Sequence, residues 1–122
     1  MTSKTPLLQP FLCRKSVALI PDVTPVISNL SIDSSQQGIY TLVTIYGNNF
    51  SLYGITGISV VDFVSTNKKQ TFQNLPVSFY SSQQISFSVP LNAFSDVYSI
   101  TVVNKQYPIS LTSNSVNYTI VL

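Results

Sequence analysis

The sequence of 122 residues contains no histidine, no tryptophan and no glutamate; its four acidic residues are Asp22, Asp33, Asp62 and Asp96. Without histidine, the commonest general base and the commonest metal ligand are missing, and no Ser-His-Asp or Cys-His arrangement exists. The aspartates lie far apart, and Asp22, Asp33 and Asp96 read as turn residues rather than as a paired acid and base. No Asp-x-Asp or Asp-x-Asn-x-Asp-Gly loop offers a calcium site, and there is neither a GxGxxG nor a Walker loop to cradle a nucleotide. The sequence therefore predicts no enzyme, no metal and no cofactor.

Charge is scarce. Only 8% of residues are charged, against roughly 25% in ordinary soluble domains. The net charge of +2 comes from Lys4, Arg14, Lys15, Lys68, Lys69 and Lys105, and half of these cations fall in the first fifteen residues. Neutralising a run of phosphates needs a clustered basic stripe, so no nucleic-acid partner is expected. The polar surface must come instead from Ser, Thr, Asn and Gln.

A single cysteine, Cys13, excludes an intramolecular disulfide, so the fold must stand on packing. Cys13 reads either as a small apolar residue beside Phe11 and Leu12 or as a reactive, intermolecular thiol. Nowhere do eighteen apolar residues run together, so no membrane-spanning helix is expected. The stretch Pro6 to Cys13 is interrupted by Gln9 and Pro10, which makes it a poor secretory signal. With Met1 at its start, the chain is expected to be made in the cytosol and used without N-terminal processing. The sequons at Asn29, Asn49 and Asn117 accordingly read as turn and strand residues.

What the chain does have is material for a core: 44% hydrophobic residues, with seven tyrosines and seven phenylalanines. At this length one core is the default. Two parts are expected. Residues 1–22 form a basic, Pro-rich arm, within which Ser16 to Ile20 reads as a short strand kept out of any continuous ladder by Pro6, Pro10 and Pro21. Residues 23–122 form the domain, with strands expected at Val26 to Ile32, Tyr40 to Tyr46, Ile58 to Val64, Gln70 to Phe72, Val77 to Tyr80, Ile85 to Val89, Tyr98 to Val103 and Val116 to Val121.

Alternation assigns faces. Ile85, Phe87 and Val89 share one side, as do Tyr98, Ile100 and Val102, and Val116, Tyr118 and Ile120. Val43 and Ile45 are expected to point inward together with Ile39, leaving Thr44 and Tyr46 outside. All four glycines fall between runs, where a positive φ costs them nothing. No helical period of useful length competes. The fold class is all-β, an immunoglobulin-like sandwich of seven to eight antiparallel strands preceded by an extended arm.

Pro25-Val26-Ile27-Ser28-Asn29-Leu30-Ser31 followed by Tyr40 to Phe50, with its Tyr46-Gly47-Asn48-Asn49-Phe50 ending, resembles the opening of an IPT/TIG (immunoglobulin-like, plexin, transcription-factor) domain. The likeness continues through Ile58 to Phe63, Gln84 to Pro90, Tyr98 to Asn104 and Ser113 to Tyr118. Ile32-Asp33 stands where the family usually has a proline, and Val64 where it usually has a glycine, which marks a divergent member. The resemblance implies a non-catalytic spacer or interaction module.

Tyr46, Tyr53, Tyr80 and Tyr107 do not fit the inward alternation, so they are expected near loops or on the outer face as interface candidates. Leu7, Leu8, Phe11 and Leu12 make the arm too apolar for a solvated tail, so it is expected to dock on its own domain or on a neighbour. The expected function is structural: a small component of a larger assembly, such as a minor capsid protein of a virion or a surface appendage, with other proteins of that assembly or further copies of the chain as partners. The alternative is a module that binds carbohydrate or protein through its exposed tyrosines.

Overall fold

The computed structural model describes residues 24–52, 58–67, 69–105 and 109–122. Ten strands are formed among them: β1 (Val26–Leu30), β2 (Ser34–Gln36), β3 (Leu42–Asn48), β4 (Ile58–Ser65), β5 (Thr71–Leu75), β6 (Ser78–Ser81), β7 (Gln84–Ser88), β8 (Asp96–Lys105), β9 (Leu111–Thr112) and β10 (Val116–Val121). No helix occurs among the described residues. One sheet runs β1-β3-β7-β6; the other runs β2-β10-β8-β4-β5, with β9 also paired to β8. Two sheets of this order are an immunoglobulin-like sandwich.

The strands form because their apolar residues recur every second position. In β3 Val43 and Ile45 are fully buried while Leu42 and Tyr46 are exposed, and in β8 Tyr98, Ile100 and Val102 are fully buried. The inward residues of both sheets make one core, in which Phe63 is central. Its ring stacks on Tyr98 at 4.3 Å between centroids and meets Phe87 and Tyr118 at 5.9 and 5.8 Å.

The first expected strand, Val26 to Ile32, ends at Leu30, and a strand that was not expected, β2, follows it. β1 pairs antiparallel with β3, after which the chain crosses to the other sheet and β2 runs parallel to β10. Ser31 N still donates to Thr44 O at 2.8 Å, whereas Asp33 O already accepts from Thr119 N at 2.9 Å, so Ile32 is the crossing point. β9 was also unforeseen, since two residues carry no alternation to read.

Two expectations about individual residues fail. Ile39 is 57% exposed, because the strand starts only at Leu42 and Gly38, at φ +79°, turns the chain before it. Gly47 lies inside β3 rather than after it, and its reason for being glycine is space. A Cβ there would sit 1.8 Å from Val26 O, so the backbones of β1 and β3 approach where only hydrogen fits. The Phe50 ring is buried against the same place.

Candidate functional site

Side-chain parity on the β1-β3-β7-β6 sheet leaves one face to solvent, and the strand register aligns its residues into rungs. Tyr46 stands opposite Asn29 on one side and Gln84 on the other. Ser81 of β6 pairs with Gln84 and completes that rung, and Tyr80, the bulged residue between Phe79 and Ser81, stands beside it, 77% exposed. The next rung is Thr44–Ser86–Ser78 and the one beyond is Leu42–Ser88. The hydroxyl of Ser88 lies 3.5 Å from the Tyr40 phenol, which adds another exposed ring.

No residue of β1, β3, β6 or β7 is charged. The charged residues Asp62, Asp96 and Lys105 belong to β4 and β8 of the other sheet. The face thus offers two flanking tyrosines, an exposed leucine, and hydroxyl and amide groups that both donate and accept. Nothing on it repels a second surface electrostatically.

Of the residues singled out from sequence, Tyr46 and Tyr80 come together here. Tyr53, Tyr107, Leu7, Leu8, Phe11 and Leu12 lie outside the described residues, as do Cys13 and the arm. Leu42 and Tyr40 were missed. Leu42 has the same parity as Tyr46, so the inward placement of Val43 and Ile45 already implied it.

The remaining polar groups bind one another within the fold. At one end of the sandwich, the Asn104 amide donates to Asn49 O at 2.8 Å and its carbonyl oxygen accepts from Ser59 Oγ. Ser59 Oγ in turn accepts from Ser51 N at 2.8 Å. At the other end, a cleft of about 220 Å³ lies over Tyr98. The Tyr98 phenol is 2.8 Å from both Phe94 O and Gln70 Oε1, and Phe94 N donates to the same Oε1 at 2.7 Å. Burial, assisted by the Asp96 carboxylate, raises the Tyr98 pKa above 10.0. Burial likewise raises that of Tyr118, with a smaller contribution from Asp33, although the hydrogen bond to Ser35 opposes it.

Asp62 accepts from Asn74 N at 2.9 Å, and Asp96 accepts from Val97 N at 2.8 Å and Asn67 Nδ2 at 3.1 Å. Both carboxylates are thereby used in turns and strand ends. Among the described residues no three metal-ligating side chains gather, and no helix is long and apolar enough to cross a membrane.

No curated protein sequence matches the chain. The model of the IPT/TIG domain family, however, matches residues 25–120, from the proline before β1 to the penultimate residue of β10. That span takes in both sheets and the uncharged face, and the chain belongs to the IPT/TIG family.

Proposed function

We propose that this IPT/TIG domain is a non-catalytic structural component of a larger assembly, of the minor-capsid or surface-appendage kind, and that it docks through the uncharged face of its four-stranded sheet onto another copy of itself. Family membership supports the coarser part of this reading, since IPT/TIG domains mediate protein–protein interactions and are generally non-catalytic. The observation that carries the rest is the Asn29–Tyr46–Gln84 rung, with the exposed Tyr80 beside it, on a face without charge. Aromatic side chains with a polar tip supply contact area at low entropic cost, and a neutral face of mixed donors and acceptors is complementary to itself under a two-fold axis.

Size sets a limit on this contact. Four strands at their usual spacing and about five residues of length make a patch of about 19 Å by 17 Å. A stable pair buries roughly 800 Å² per partner, so the sheet alone gives a weak contact. Leu7, Leu8, Phe11 and Leu12 supply the further apolar surface in this reading. The test is the mass of the full chain in solution across a wide concentration range, compared with a chain lacking residues 1–22. Concentration-dependent association that weakens on deletion is expected; a chain that stays monomeric throughout would remove the assembly reading.

A second reading rests on the same rung. Tyr46 and Tyr80 lie two strands apart, about 10 Å, with the Gln84 amide between them, an arrangement on which sugar rings can stack and hydrogen-bond. Binding to a glycan array that Tyr80→Ala abolishes, by a chain that remains monomeric, would favour carbohydrate over self-association.

A further inference from the structure

The cleft over Tyr98 is walled by two loops that are already tied together. One loop, between β4 and β5, contributes Asn67, Lys69 and Gln70; the other, before β8, contributes Phe94 and Ser95. Gln70 spans them, since its Oε1 accepts from Phe94 N at 2.7 Å and its Nε2 donates to Asn92 O at 3.1 Å. Ser65 Oγ holds the first loop by accepting from Lys69 N at 2.7 Å and from Gln70 N at 3.2 Å. Ser95 N donates to Gln37 Oε1 at 3.0 Å, which holds the second. A wall fixed in this way costs little to order when something binds against it.

The charges on this wall are of both signs and are kept apart. Lys69 and Asp96 line the same cleft, yet among the described residues they form no ion pair with each other or with any other side chain. The Asp96 carboxylate accepts from Val97 N and Asn67 Nδ2 on Oδ1, and from Asn67 Nδ2 again on Oδ2 at 3.3 Å. An ionised carboxylate offers about four lone-pair sites, so Oδ2 can accept further. The Lys69 ammonium has no partner among the described residues. Phe94 beside them is 60% exposed, and its ring adds an apolar surface to a cleft that already holds one cation and one anion. At about 220 Å³ the cleft is smaller than the roughly 300 Å³ or more of pockets for drug-sized ligands, so it suits a single small molecule.

We propose that this cleft binds a small zwitterion, an α-amino acid with an apolar side chain. Its carboxylate pairs with Lys69, its ammonium donates to Asp96 and its side chain lies along the Phe94 ring. A ligand with a single charge leaves one of the two wall charges unanswered, which is the basis of selection. Neither Lys69 nor Asp96 lies on β1, β3, β6 or β7, so the site is separate from the uncharged sheet face and stands whether or not copies of the domain associate.

Titration of the labelled full chain with valine at neutral pH, followed by its amide resonances, tests the proposal. Saturable shifts are expected at Asn67, Lys69, Phe94, Ser95 and Asp96. Isovalerate and isobutylamine, which each lack one of valine's charges, should give no saturable shift over the same range, and glycine, with no side chain to lie on Phe94, should bind more weakly. Lys69→Gln removes an ammonium that the fold does not use and should weaken valine binding about fivefold, the upper range for a partly exposed charge pair. No saturable shift with valine, an equal response to either singly charged analogue, glycine binding as tightly as valine, or unchanged binding by Lys69→Gln would overturn it.

Discussion

Asn114 and Ile27, 87 residues apart, are joined by two hydrogen bonds in which a side-chain amide takes the place of a neighbouring strand. The segment before β10 is thereby tied to the outermost strand of the opposite sheet. An edge strand presents unpaired donors and acceptors that invite foreign strands, and here one residue closes part of that edge while the two sheets are held together.

Replacing Asn114 with alanine leaves both backbone groups of Ile27 without their partner. A loss of about 1–3 kcal/mol is expected, measured by urea unfolding. Asn114→Asp keeps the acceptor that Ile27 N needs but loses the donor for Ile27 O, so it should fall between alanine and the native protein. Equal stability of all three would show that the clip contributes nothing.

Gly47→Ala should be among the most damaging single substitutions. The added methyl meets Val26 O at 1.8 Å and the Phe50 ring at 2.9 Å, so β1 or the chain after β3 must move. A cost of about 3 kcal/mol or more is expected. A small change in the unfolding midpoint would mean that β1 is held loosely enough to yield.

High pH should unfold the domain by a defined route. The folded pKa values of Tyr98 and Tyr118 are raised above 10.0, so the folded state binds their protons more tightly than the unfolded chain does. Their contribution is complete below the unfolded value near 10 and is lost as pH rises through the folded values. Ultraviolet titration should show two late-ionising phenols coinciding with loss of the fold, and Tyr98→Phe combined with Tyr118→Phe should flatten the alkaline dependence of stability. An unchanged alkaline slope in the double variant would place the effect elsewhere.

The strands that the sequence displayed best were those with one dry face. β4, β7, β8 and β10 alternate cleanly, and the residues read as inward, such as Phe87, Tyr98 and Tyr118, are buried. β2 has the sequence Ser-Ser-Gln and is held by its backbone pairing to β10, so no side-chain pattern could announce it. Ile39 was misplaced because alternation was extended back from Val43 beyond Leu42, where β3 begins, to the end of the turn at Gly38. For the face, Tyr46 and Tyr80 were visible as exceptions to inward alternation. That they stand on either side of Gln84 depends on the register of β3, β7 and β6 and on the bulge at Tyr80, long-range relationships that no local window contains.

The central claim is that the uncharged sheet face is where copies of this domain meet. Sedimentation of the full chain over a wide concentration range, alongside Ser86→Lys at the middle of that face and Thr101→Lys on β8 of the other sheet, tests it most directly. The native chain and Thr101→Lys should associate as concentration rises, while Ser86→Lys, which sets like charges against each other across the two-fold, stays monomeric. Association undiminished in Ser86→Lys, or absent from the native chain at every concentration, would contradict it.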